Sequence, residues 1–145
     1  MDPATEEKGV PFAKKIASLT LPEKIRIALT GNKDVRTVLY RDANKKIGEY
    51  ILQNPGIMDD EILFFARDRN ASEDMLVAIS RRKDWVKKYP LRLALTLNPK
   101  TPIPLALNIL KTLREADLRK IVRSKDVSMY VSSGARRILA SKGLL

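Results

Sequence analysis

The sequence predicts an all-α protein, made of short stacked helices in a right-handed superhelical repeat array. Three observations carry this. Apolar residues recur at helical spacing in segments of roughly ten residues, with no long alternating run in competition. The segments are punctuated by residues that start or stop helices. Two short motifs recur some forty residues apart, on the order of one helical repeat.

The elements follow in order. Residues 1–9, MDPATEEKG, read as a disordered tail, and residues 10–145 as a single helical-repeat domain. Val10 to Leu19 places Phe12, Ile16 and Leu19 on one face of a first helix. Thr20-Leu21-Pro22-Glu23 is a capping box with Pro in the first turn, where its missing N–H costs nothing. Ile25, Ala28 and Leu29 continue that helix, and Gly31 is expected to end it in the left-handed conformation. Further helices are expected at 34–41, 44–53, 58–68, 72–82, 84–89, 91–97, 102–112, 115–123 and 127–140. Ser72 and Thr101 are expected N-caps. Asn54-Pro55 and Asn98-Pro99 are expected stops, because Asn tolerates a left-handed cap and Pro cannot continue a helix. Val127 to Val131 also fits a strand and is read as helix. Leu93, Leu95, Leu97, Leu105, Leu107, Ile109 and Leu110 nearly saturate two helices and place the most buried layer at 91–112. Phe64 and Phe65 diverge by about 100° on a helix, so one belongs in the core and the other at a contact between repeats.

Two echoes set the repeat. Asn54-Pro55 and Asn98-Pro99 are separated by 44 residues and each precedes an apolar helix. Lys33-Asp34-Val35, Lys83-Asp84-Trp85 and Lys125-Asp126-Val127 repeat a basic residue, a capping Asp and an apolar residue, the last two 42 apart. Periods of about 40–47 residues belong to HEAT-like or armadillo-like arrays, in which each helix pair buries its apolar face on the next. An irregular helical bundle with recurring caps is the alternative. From Leu21 to Leu139 the chain resembles a group of uncharacterised bacterial helical-repeat proteins, loosely HEAT-like or leucine-rich-variant-like. The resemblance rests on Ala28-Leu29-Thr30-Gly31-Asn32-Lys33, on Arg92-Leu93-Ala94-Leu95 running into Asn98-Pro99-Lys100-Thr101-Pro102, and on Ala135-Arg136-Arg137-Ile138-Leu139. It implies a stacked-helix scaffold and supplies no active site.

Composition narrows the function. Cys and His are both absent, which removes disulfides, thiolate nucleophiles, the commonest general base and the commonest metal ligand. No GxSxG, GxGxxG or GxxxxGK[ST] motif occurs, and Gly numbers only 6. The expectation is therefore no enzyme, no cofactor and no small-molecule substrate. Neither a membrane span nor a secretory signal is legible, so a cytoplasmic protein is expected. Asp59-Asp60-Glu61 is the densest acidic group, but consecutive first-turn positions diverge, and the three acids are read as complements to a helix dipole rather than metal ligands. Arg114 with Asp117, and Glu73 with Asp74, are likewise read as helix-start residues, not acid–base pairs.

Charge carries the functional reading. The chain is net +11, yet residues 1–74 hold 12 basic and 13 acidic residues, while residues 75–145 hold 16 basic and 4 acidic. One cluster comprises Arg81, Arg82, Lys83, Lys87, Lys88 and Arg92, with Trp85 and Tyr89 inside it; a second comprises Arg119, Lys120, Arg123, Lys125, Arg136 and Arg137. The expected partner is an acidic protein surface docked on this half of a non-enzymatic adaptor. The alternative is nucleic acid, with the cations on phosphates and an exposed ring stacked on bases. The plainest reading makes the charges a solvated rim and turns Trp85 inward. From the missing ligand types we predict that elemental analysis of gently purified protein finds no stoichiometric zinc, iron or copper; one tightly held equivalent of any of them contradicts the reading.

Overall fold

In the computed structural model, which describes residues 11–145, each expected helical segment is helical and no strand occurs among the described residues. The tail at residues 1–9 lies outside the described residues. The helices are α1 (Phe12–Ala17), α2 (Leu21–Thr30), α3 (Lys33–Tyr40), α4 (Ile47–Leu52), α5 (Asp59–Arg67), α6 (Glu73–Ser80), α7 (Lys83–Val86), α8 (Tyr89–Leu97), α9 (Ile103–Leu110), α10 (Glu115–Arg123) and α11 (Met129–Ser141). None of them is long and apolar enough to cross a membrane. They fall into two compact units divided after Met58.

In the first unit the capping box forms as expected: the Thr20 hydroxyl accepts from the Glu23 N–H at 3.3 Å, and Glu23 accepts from the Thr20 N–H at 3.2 Å. Asn32 caps α3 by accepting from the Val35 N–H, and the expected capping Asp residues do not cap: Asp34 and Asp84 lie inside the first turns of α3 and α7, and Asp126 precedes the Ser128 cap of α11. α2, α3 and α4 pack on one another and α1 on α3, burying Ile16, Ile27, Val35, Leu39, Ile47 and Ile51. Gly31 is not left-handed. Its backbone is extended (φ −74°, ψ 165°), and glycine is needed there for space, because a Cβ would sit 2.5 Å from the Ile27 carbonyl oxygen.

The loop after α4 is held by side chains. Asn54, 4% exposed, donates from Nδ2 to the carbonyls of Ala28 (2.9 Å) and Gly31 (3.0 Å) and accepts from the Gly56 N–H at 2.8 Å. Arg36, equally buried, donates to the Gly31 carbonyl at 2.8 Å and to the Gly56 carbonyl at 3.3 Å. Orphan carbonyls at the C-terminal end of α2 are thereby satisfied away from water.

The second unit uses the same device. Asn98, after α8, donates from Nδ2 to the carbonyls of Ala66 and Asp68, both at 2.8 Å, and accepts from the Lys100 N–H at 2.9 Å. This ties the C-terminal ends of α5 and α8 together, while Lys88 and Asp59 pair at their N-terminal ends. The two helices therefore lie parallel, joined by the α6–α7 crossover. The left-handed Asn stops are corrected here: Asn98 is extended (φ −74°, ψ 124°), and no described non-glycine residue has positive φ. The chain stops because the Asn amide replaces backbone partners, not because its backbone reverses hand.

α9 packs on α8 and α11, and α10 on α11. Ala106, Leu110, Leu113, Leu118, Ile121, Val131, Ala135 and Leu139 form their core. Gly134 permits the close approach of α11, since a Cβ there would meet Leu107 Cδ2 at 2.8 Å. Ser72 caps α6 as expected, and Ser128 caps α11 by accepting from the Val131 N–H, which settles residues 127–131 as a helix start. Thr101 does not cap. α9 begins one residue later than the expected cap requires, its second residue Pro104 has no N–H, and the Thr101 hydroxyl is buried without a partner. The one left-handed residue among those described is Gly143 (φ 70°), where the Leu144 N–H reaches the Leu139 carbonyl and the Gly143 N–H that of Ala140 to close α11. Burial at 91–112 is uneven: Leu95, Ile109 and Leu110 are buried, but Leu97 is 36% exposed. Phe65 is in the core and Phe64 remains 55% exposed.

Removing the Asn98 amide leaves two carbonyls and an N–H without partners. We predict that Asn98→Ala lowers stability by about 2–3 kcal/mol. Asn98→Asp should cost at least as much, since a carboxylate has no proton to donate to the two carbonyls. Urea denaturation of the full chain measures both, and a midpoint within error of the parent contradicts the role assigned to Asn98.

Candidate functional site

The sequence-predicted basic residues divide by what they touch. Arg82 pairs with Asp84 through Nε (3.3 Å) and Nη2 (3.4 Å), and its guanidinium lies 4.0 Å from the Trp85 ring centroid. The Arg82 hydrogen bond, foremost, holds the Asp84 carboxyl below its ordinary range. Lys88 pairs with Asp59. Arg92 donates from Nη1 to the carbonyls of Val86 (3.1 Å) and Lys87 (2.8 Å) and from Nε to the Thr112 hydroxyl at 3.1 Å. It closes the end of α7 and reaches the residues following α9. Arg119 pairs with Glu115 at 2.9 Å and donates to the Leu144 carbonyl at 2.8 Å, tying α10 to the end of the chain. These four are occupied.

The other eight are exposed: Arg81 and Lys83 flank the start of α7, Lys87 ends it, Lys120 and Arg123 lie on α10, Lys125 in the turn before α11, and Arg136 and Arg137 on α11. None of the eight has an ion pair among the described residues. Tyr89, beside the first cluster, is bonded to the N-terminal turn of α10, whereas in the second cluster Arg123 ends that nine-residue helix and Lys125 follows it, about 12 Å along its axis.

Tyr89 is the residue the sequence reading undervalued. Its hydroxyl donates to Asp117 Oδ2 at 2.5 Å and accepts from the Arg114 N–H at 3.0 Å, so it supplies a cap that Arg114 itself cannot provide. Its ring carries two guanidiniums, Arg114 at 4.1 Å and Arg92 at 5.4 Å from the centroid. Burial of the phenol, followed by its bond to the Asp117 carboxylate, raises the Tyr89 pKa above the ordinary value. Arg114 and Asp117 are three apart in sequence, and only the fold brings a third group between them.

Trp85 packs inward at 6% exposure, as expected. Its ring also lines a cavity of about 410 Å³ with Ile62, Leu63, Tyr89, Pro90 and Leu91, bordered by Asp59, Asp60 and Lys88. Asp59, Asp60 and Glu61 occupy the first turn of α5, and no group of metal-ligating side chains converges among the described residues. No family model, curated protein or solved structure matches the chain.

The Tyr89 hydroxyl gives a pH prediction. Because its folded pKa is raised, its stabilising contribution is complete below the unfolded tyrosine value near pH ~10 and is lost as pH rises through the folded value. Tyr89→Phe should lower stability at neutral pH by about 1 kcal/mol. It should also remove this residue's share of the alkaline decline. Urea midpoints at neutral pH and at about pH 10.5 test this around the tyrosine titration; identical slopes in parent and variant contradict it.

Proposed function

We propose that the chain is a non-enzymatic helical-repeat adaptor, acting in the cytoplasm, that binds an acidic partner protein through its basic second half. The observation carrying this reading is the unpaired charge. Of the 4 acids in residues 75–145, Asp84 is engaged by Arg82, Glu115 by Arg119 and Asp117 by Tyr89. The eight exposed cations are left with almost nothing of opposite sign in their own half. A surface field of one sign repels itself, and an anionic partner relieves the repulsion. The HEAT-like right-handed array belongs to the same proposal. Its support is the recurrence of the buried-Asn closure at Asn54 and Asn98, a spacing of 44 residues, within the period of such arrays.

Nucleic acid is the second reading, favoured by the same cations. The rings weigh against its stacking form. Trp85 is buried beneath Arg82, and Tyr89 has its hydroxyl bound and two guanidiniums on its ring, so neither offers a base an open face. Contacts to a phosphate backbone alone need no ring, and salt dependence separates that case.

We predict that reversing Arg81, Lys83 and Lys87 to Glu weakens partner binding about ten-fold or more while helicity stays near the parent's, because all three side chains are exposed and the cost is confined to opposing the helix dipoles at Arg81 and Lys87, about 0.3–1 kcal/mol each. For a protein partner the parent binds random duplex weakly from the start. For nucleic acid, affinity falls for every sequence and the slope of log affinity against log salt flattens by about 2–3. Binding by a folded triple variant equal to the parent's at the same salt overturns the proposal.

A further inference from the structure

The same unit carries an apolar feature that the charge pattern does not use. The cavity beside Trp85 shares Pro90 with a second one of about 240 Å³. The second is lined by Leu93, Ala94 and Leu97 of α8 and, at the C-terminal end of α5, by Arg67 and Arg69. Pro90, Leu93, Ala94 and Leu97 are spaced i, i+3, i+4 and i+7, one stripe of a helix. Opposite runs Asp60, Leu63 and Arg67, a stripe of α5. Because α5 and α8 are parallel, the two cavities lie along one seam, and the nine-residue α5 makes it about 13 Å long. That length accommodates about two turns of a partner helix or four extended residues.

The ends of the seam differ in charge. At the N-terminal end Asp59 is matched by Lys88. At the C-terminal end Arg67 and Arg69 are exposed, and among the described residues neither forms an ion pair with a carboxylate. Arg69 makes one long bond, 3.4 Å, to the Asp126 carbonyl, which draws the turn holding exposed Lys125 to this end. Arg67 complements the dipole of its own helix, a role one cation fills. Counting Asp68 and Asp126 in the same turns, the three cations leave this end net +1, with Arg67 and Arg69 the guanidiniums that line the second cavity.

We propose that this seam is a docking groove for a peptide segment of the partner that presents two apolar side chains and an acidic residue beyond them. One apolar side chain enters the cavity at Trp85, Leu63 and Leu91. The second lies over Leu93 and Leu97, and the acid meets Arg67 and Arg69. The cavity volume is of the size that holds a buried anchor, and desolvated anchors flanked by charge carry most of the affinity in such interfaces. This inference rests on the adaptor reading and names the chemistry of its partner.

The test pans a random-peptide display library on the full chain and measures a synthesised enriched peptide by fluorescence anisotropy. Enriched sequences should pair two apolar residues with Asp or Glu to one side. Arg67→Glu and Leu97→Glu, both at exposed positions, should each weaken the peptide about ten-fold with unchanged circular dichroism; if Leu97→Glu perturbs folding, Arg67→Glu alone decides. Lys in place of the acid should weaken it comparably. No enrichment, enriched peptides without acids, or equal binding by parent and Arg67→Glu overturns the groove. The two proposals separate cleanly. Peptides lost on reversal of Arg81, Lys83 and Lys87 but indifferent to Arg67→Glu leave the adaptor reading standing without the groove, and the opposite pattern leaves the groove without the basic surface.

Discussion

Two helices that run parallel finish at the same side, and the carbonyls of both last turns then compete for donors in one place. In the second unit Asn98 answers this constraint with a single primary amide, whose two protons go to Ala66 and Asp68 of α5 while its oxygen takes the Lys100 N–H. Main chain could not do the same, because each residue brings only one donor. With the C-terminal ends joined and Lys88 on Asp59 at the other end, the seam between α5 and α8 has a fixed register. The wedge of Trp85, the apolar stripe of α8 and the position of Arg67 follow from that register. Asn54 performs the same closure on α2 and α4 in the first unit, where Arg36 doubles it.

Arginine has three roles here that composition cannot separate. Arg36, Arg92 and Arg119 donate to backbone carbonyls at element ends, the task that Asn performs elsewhere. Arg82 and Arg114 lie over aromatic rings, where a flat, weakly hydrated guanidinium is better suited than an ammonium. Arg81, Arg123, Arg136 and Arg137 do neither. This last group, with Arg67, Arg69 and the exposed lysines, contributes to a field that a partner would meet. Screening sets its range at about 8–10 Å at ordinary ionic strength, so Arg123 and Lys125, at the far end of α10 from Tyr89, add little to the field around the first cluster.

The helices were legible because their determinants are local. Thr20 and Glu23 lie within one turn, Ser72 precedes its helix directly, and apolar spacing needs no knowledge of the fold. The failures involve partners distant in sequence. Asn98 was correctly read as a stop, yet its reason lies 30 and 32 residues away. Tyr89 looked like one aromatic in a basic run, and its partners at Arg114 and Asp117 are 25 and 28 residues on. Thr101 failed differently: the local pattern was sound, but two prolines shifted the helix start past it. The 44-residue echo of Asn-Pro held the best available clue. An Asn that recurs at a repeat period after an apolar helix points to a side chain with a fixed acceptor, whereas a left-handed stop would be served as well by Gly.

The arrangement of α8 bears on why a groove exists in a chain with this much apolar sequence. α8 packs on α5, α7 and α9, and Leu91 and Leu95 are buried in those contacts. A helix with three neighbours has apolar residues enough for its core, and its remaining face would ordinarily be polar. Here Pro90 and the last residue, Leu97, stay exposed beside the buried Ala94 and the half-buried Leu93, which also packs against the core of α9, α10 and α11. Exposed apolar side chains cost solubility unless another apolar surface covers them. Arg67 and Arg69 at one end of the seam keep such a surface from being any apolar patch, because an uncharged or basic segment would bury guanidiniums without partners. Apolar stripe and basic end act together as a filter: burial supplies the attraction, and the cost of unpaired charge rejects segments that lack an acid.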